Sequence, residues 1–366
     1  MKKIKITYLL LILILKFGYS QNEVFFKDKK LSTWGEIKID NVGMNNVSFS
    51  IDEKHLAAAG KMGSLIIWNL ENGNIEFDLS DTTLDMSYFI RDIDYSPDGK
   101  YLATVGSSVY LKSKITDNNG ESTIENKVKA IERKVLRIYE TSHYSIIKEF
   151  TYDTIADMFS CTFSPNSKFL ITGENQSNVN SVSILRVYDT KNWKKKSSIE
   201  IDYIPWEICF NSLGNKFYTG SSDGFLMKYD FNRGKFALGG KIKLSKNEIS
   251  SISVSSDDKT LSINEDSLFL YRIDGKKNEF INYKEYRLFA CSFASDEDII
   301  AIGGDSNNCL IYDLNSKEII QELQGDTHNV YQNEGGFNST RPIFSDSGEI
   351  IAMLNDAGMI YIYVKK

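Results

Sequence analysis

Seven segments of this chain share one pattern: an apolar residue, a variable one, an aromatic and a small one, then a polar turn and a second apolar run. They are Val47-Ser48-Phe49-Ser50, Ile93-Asp94-Tyr95-Ser96, Cys161-Thr162-Phe163-Ser164, Ile208-Cys209-Phe210-Asn211, Ile252-Ser253-Val254-Ser255, Cys291-Ser292-Phe293-Ala294 and Pro342-Ile343-Phe344-Ser345, with valine replacing the aromatic in the fifth. The turns that follow, such as Pro97-Asp98-Gly99-Lys100 and Asp346-Ser347-Gly348-Glu349, use residues that accept left-handed backbone angles or hydrogen-bond their own main chain, which is the chemistry of hairpins. Each unit then reaches a second marker aromatic: Trp68, Tyr139, Tyr188, Tyr229, Tyr271, Tyr312 and Tyr363. The intervals between the two markers are 19, 44, 25, 19, 17, 19 and 19 residues. A fourth apolar stretch follows, as in Ile75–Leu79, Ile146–Thr151 and Ile319–Leu323.

Four short strands per unit, repeated seven times, predict an all-β fold: a seven-bladed β-propeller of four-stranded antiparallel blades. A lone four-stranded sheet of this kind would expose two apolar faces, and radial stacking of blades covers both. Repetition also overrides the two or three domains that length alone suggests, so residues 21–366 form one domain. The last unit supplies three strands before Lys366, so its fourth must come from the N-terminus. Gly35–Asp40 alternates apolar and polar residues and is the expected closing strand, which would leave no open sheet edge in the ring.

Residues 1–20 stand outside the repeat. Lys2, Lys3 and Lys5 precede the apolar run Ile6–Leu15, and Gly18-Tyr19-Ser20 offers small residues for cleavage before Gln21. Ten residues of helix rise only about 15 Å, half of a bilayer core, so an export signal is expected in preference to an anchor. The expected mature protein is periplasmic or extracellular, monomeric and without a membrane span.

Loss of the four lysines in that segment moves the formal net charge from −6 to −10. Such a balance argues against nucleic acid as a partner, because phosphate recognition needs a basic stripe. The tight run Lys194-Lys195-Lys196 is read as a solvated turn. Four cysteines are too few for a disulfide scaffold. Cys161 and Cys291 take the same apolar strand position and read as core; Cys291 and Cys309 share a blade about 9–10 Å apart, too far to bond. A Cys161–Cys209 bridge between neighbouring blades stays open.

The units resemble WD40 repeats over essentially all of residues 21–366. Blade four carries the resemblance most fully, with Gly220-Ser221-Ser222-Asp223-Gly224 leading to Lys228-Tyr229-Asp230. Tyr188-Asp189 and Tyr312-Asp313 stand where the family has Trp-Asp, and Trp68-Asn69 keeps the Trp. Asp223, Asp266, Asp305 and Asp356 match the family's turn Asp, but the Gly-His pair that would supply their histidine partner is absent from all seven units. Apolar packing is therefore expected to hold the blades. The resemblance implies a propeller and leaves function open, since related propellers bind diverse partners.

Two units depart from the common spacing, through insertions at 107–134 in blade two and 174–183 in blade three, both between second and third strands. By the resemblance these loops open on one face, together with the blade connections, and insertions gathered on one face of a repeat protein mark a binding side. Asp117 and Asn119 in the first insertion are candidate contacts. An EF-hand reading fails there, because Ile115 and Asn126 fall where the essential carboxylates must be. Tyr331 and Phe337 lie in the long connection into the last blade. At the heads of the first strands, Arg91, Phe159, Trp206 and Phe289 would line the channel mouth with Asn45, Ser250 and Thr340. Aromatic and arginine anchors suit binding; core packing between blades is the competing reading for the three aromatics.

Catalytic chemistry is not visible. His55, His143 and His328 are scattered by the repeat, and none has a nucleophile at a telling spacing. The strand heads show no ring of acids for a metal, and no cofactor is implied. The expectation is a non-catalytic scaffold for another protein or peptide. The alternative is a propeller enzyme of the lactonase-like or quinone-dependent type, with its site at the channel mouth.

Overall fold

The computed structural model describes residues 26–29 and 44–365 apart from short internal stretches, the longest being 81–88, 114–127 and 325–339. It shows seven antiparallel four-stranded sheets arranged as the blades of a β-propeller, without a helix among the described residues. In blades one to six the strands of a sheet follow chain order, as in blade one with Met44–Phe49, His55–Gly60, Leu65–Asn69 and Ile75–Asp78. First strands of successive blades pack against each other around the axis, and blade one meets blade seven.

The core lies between blades, not within them. Seven apolar clusters form, one at each blade-to-blade interface. Trp68 and Leu56 of blade one, for example, meet Leu354 and Ile362 of blade seven. Of the seven second markers, six are buried and Tyr271 is partly so.

Each position of the repeated motif has a separate physical task. The apolar and aromatic positions enter the clusters, as Ile93 and Tyr95 do. The small residue clamps the turn: the Ser96 hydroxyl donates to Asp98 at 2.8 Å and accepts the Tyr101 N–H at 2.9 Å. Ser50, Ser164 and Ser255 repeat the arrangement with Asp52, Asn166 and Asp257. Side-chain hydrogen bonds of this kind offer the backbone a turn in place of more strand.

Five first strands carry a bulge at their heads, between Met44 and Asn46, Ile90 and Asp92, Met158 and Ser160, Pro205 and Ile208, and Leu288 and Ala290. A bulge leaves one residue out of the ladder and re-aims it. Opposite the bulge in blade two stands Gly106, where a Cβ would come within 2.0 Å of the Phe89 carbonyl oxygen.

Two expectations are corrected. The ring is closed by an N-terminal strand, but that strand is Phe26–Lys29, paired from Phe26↔Lys365 to Lys29↔Ile362. Gly35–Asp40 lies outside the described residues. The insertion in blade two also is not a loop at its base. The second and third strands run Tyr101–Ser113 and Val128–Glu140, and their ladder extends to Ser113↔Val128. From Ser107 to Ser113 this arm spans roughly 20 Å at the usual rise of a strand. All four cysteines are free, so the Cys161–Cys209 bridge does not form.

Candidate functional site

The innermost strand of a propeller blade is a sheet edge turned toward the axis, and its outward N–H groups need acceptors. Side chains of the preceding blade supply them. Ser48 accepts the N–H of Tyr95, Asp94 that of Phe163, Ser253 that of Phe293 and Ser292 that of Phe344. These acceptors are the variable residues of the motif and the donors are aromatics of the next one. Two residues earlier, Asp92 accepts from Cys161 at 2.7 Å and Glu207 from Ile252 at 2.9 Å. The polar lining is thus a belt of bonds joining blade to blade.

Inside this belt lies a cavity of about 610 Å³, bordered by first strands of all seven blades. Asp92, Asp94, Glu207 and Arg341 line it. Burial raises Asp92 to about 6, outweighing the N–H groups of Cys161 and Ile93 and the Asn46 amide that favour its charge. Burial likewise lifts Glu207 to about 7 and Asp94 well above the carboxylate range, with Asp92 and Asp346 adding like charge to Asp94. The strand heads alone suggested no acids on the axis; these three correct that reading. Their signal was the alternation, since Asp94 is the motif's variable residue and Asp92 stands two before it.

A pH dependence follows. A carboxyl raised on folding keeps a proton that the unfolded chain has lost, so stability falls as pH rises from about 4 through the folded value and then levels off. The native protein is expected to be more stable at pH 5 than at pH 8, by roughly 1–1.5 kcal/mol through Asp92 and roughly 2–3 kcal/mol through Glu207. Urea unfolding at the two pH values measures it, and Asp92→Asn with Glu207→Gln should shrink the difference to the part that Asp94 contributes. Equal stability at both pH values in the wild type would contradict the assignment.

At the mouth, the structure brings together three of the eight expected contact residues. Phe159 and Trp206 meet edge to face with centroids 4.9 Å apart and planes at 69°. The Arg91 guanidinium lies 4.6 Å from the Phe89 ring centroid and 5.9 Å from that of Phe159, and its Nη2 donates to Asp157 at 3.0 Å. All three are half-buried and border the cavity, and neither aromatic belongs to an inter-blade cluster, as core packing would require. The bulges decide this, by taking Arg91 and Phe159 out of the ladder just before the strand settles into core alternation. The Trp206 indole N–H is shielded from solvent and has no hydrogen-bond partner among the described residues.

Phe289 occupies the equivalent bulge of blade six, with its side chain outside the described residues. Asp117, Asn119, Tyr331 and Phe337 also lie outside them, as does His328. His55 instead contacts Glu76 at 3.1 Å and the edge of Tyr144, away from the channel. Asp305, left without a histidine, pairs with Arg287, Nε to Oδ2 at 2.5 Å, and both border the cavity. Among the described residues no three His, Cys, Asp or Glu side chains are grouped as metal ligands. No described helix is long and apolar enough to cross a membrane. No protein-family model matches the chain, and no curated protein is similar to it, so the geometry of the channel mouth carries the functional reading.

Proposed function

We propose that this is an exported, WD40-like propeller that works without catalysis, holding another protein or a peptide on the face that bears the insertions. The observation that carries the reading is the Phe159–Trp206 pair beside Arg91, with an indole N–H unsatisfied among the described residues at the rim of the 610 Å³ cavity. A buried donor without a partner costs about 1–3 kcal/mol, which a ligand carbonyl at that point would relieve. Rigid aromatics and arginine bury much area with little loss of rotamer freedom, as binding hot spots do. The paired arm of blade two leaves the sheet on the same face, its base at Ser107 pairing with Phe89. The WD40 kinship rests on the repeat itself and on Asp223 and Asp305, which occupy turns between second and third strands. The run at residues 1–20 supports export.

The test is affinity capture from the cell envelope with three baits: wild type, Phe159→Ala/Trp206→Ala, and a chain whose arm is cut back from 107–134 to a short turn. A partner seen with wild type should bind the double variant at least tenfold more weakly. An unchanged set of partners with both altered baits would refute the site.

The axial carboxyls give the enzyme reading its one support, because perturbed acids in a cavity are common at active sites. Asp92, Asp94 and Glu207 are, however, already engaged with backbone N–H groups of the next blade. Elemental analysis and an absorption spectrum separate the readings: a stoichiometric metal or chromophore would favour the enzyme.

A further inference from the structure

The side of the disc opposite the insertions carries the turns between first and second strands and between third and fourth strands. In blades three and four these turns bear a cluster of exposed cations. Lys191, Lys194, Lys195 and Lys196 surround the outer turn of blade three, and Arg233 and Lys235 form that of blade four. The two turns touch: the Ser197 hydroxyl donates to the Gly234 carbonyl at 2.6 Å, and a Cβ on Gly234 would lie 2.7 Å from Lys196 Cγ. The carboxylates beside them are Asp189, which accepts the Lys191 N–H and lies 3.9 Å from Lys196 Nζ, and Asp230. Elsewhere the same side is acidic, with Asp52, Glu53, Glu71 and Glu76 around the turns of blade one. The protein is therefore electrically lopsided despite its formal net charge of −6.

A second, independent feature sits in the same sector. Leu213, at the tip of the first turn of blade four, is 77% exposed, and Leu238 on the adjoining outer strand is 49% exposed. The Leu213 turn is held rigidly, Ser212 donating to Asp258 of blade five and Gly214 resting on Pro165 of blade three. An apolar tip on the side of the disc that carries a cation cluster is the arrangement by which a protein lies on an anionic bilayer: lysines attract the headgroups and the apolar residue enters the acyl boundary. We propose that blades three and four dock this protein on an anionic lipid surface, leaving the opposite, insertion-bearing face turned away from it. A dissolved polyanion such as nucleic acid would engage the lysines with no use for Leu213. The proposal is independent of what binds at the channel mouth.

Cosedimentation of the whole protein with vesicles tests it, comparing equal parts phosphatidylglycerol and phosphatidylcholine with phosphatidylcholine alone, at low and at physiological salt. Binding is expected on the anionic vesicles only, weakening with salt. Lys194→Ala/Lys195→Ala/Lys196→Ala should lower the partition coefficient about 100-fold, at about tenfold for a little more than one lysine. Leu213→Ser should lower it severalfold, and Lys54→Ala in the acidic sector of blade one should leave it unchanged. All these side chains are exposed, and matching circular dichroism and unfolding midpoints keep the comparison fair. The proposal is overturned by binding that ignores lipid charge, by absence of binding, by a neutral effect of the triple variant, or by tight binding to single-stranded DNA that loses nothing on Leu213→Ser while lipid binding also loses nothing.

Discussion

Glu174→Ala is expected to destabilise the propeller by about 3–5 kcal/mol, the usual loss when one partner of a buried ion pair is removed. Glu174 stands one residue before the end of the second strand of blade three and is fully buried. Lys134, on the third strand of blade two, is 1% exposed, and its Nζ lies 2.8 Å from Glu174 Oε2. Arg186 of blade three donates to the other carboxylate oxygen, and its guanidinium stacks 4.9 Å over Tyr152, whose hydroxyl bonds Tyr188 at 3.0 Å. One carboxylate thus pairs with two cations in a buried interface. Without it the buried Lys134 ammonium loses its counter-charge. Glu174→Gln, which keeps an acceptor but not the charge, should fall between. Lys134→Met/Glu174→Leu/Arg186→Met should recover most of the loss, because apolar side chains of similar volume replace a complete buried ion group at little cost. Urea unfolding reads all four proteins. A Glu174→Ala loss below about 1 kcal/mol would show that the pair does not join the blades.

The second large effect concerns closure. A chain that starts at residue 31 lacks the Phe26–Lys29 strand and leaves Ile360–Lys365 as an open edge. At about 0.5–1.5 kcal/mol for each net hydrogen bond, the four paired positions contribute roughly 2–6 kcal/mol. The open edge is also a template for other chains. The truncated protein is expected to unfold at lower urea and to form dimers and larger species by sedimentation velocity. A peptide of residues 24–31 added in trans should restore the monomer, and one of residues 34–41 should not. The reverse result would mean that Gly35–Asp40 is the closing strand after all.

That outcome bears on what a sequence can encode. The inner three strands of each blade are buried on both faces, so every apolar position is demanded by packing and the repeat is easily read. The outer strands are different. Lys194–Ile201 is exposed at six of its eight positions, and Lys235–Lys243 is exposed at six of nine. Little burial means weak selection for pattern, and register is poorly specified where no face is covered. Gly35–Asp40 alternates well and Phe26–Lys29 hardly at all, yet pairing falls to the latter. The arm of blade two was placed correctly by spacing but misjudged as loop, because its pairing comes from the partner strand and not from its own composition.

By itself the sequence determined the number of blades, the strand order within them and the turn chemistry, since these depend on contacts a few residues apart repeated seven times. It also marked Arg91, Phe159 and Trp206 as strand-head residues. The tertiary structure alone decided which of them face the channel, because a bulge shifts the alternation by one residue and nothing local announces it. It alone turned Asp92, Asp94 and Glu207 into acceptors for the next blade, and set Lys134 against Glu174 from the ends of two insertions. Those relations join residues 40 to 70 positions apart, across an interface between separate sheets. Their free energy depends on how closely the blades meet, which no single repeat contains.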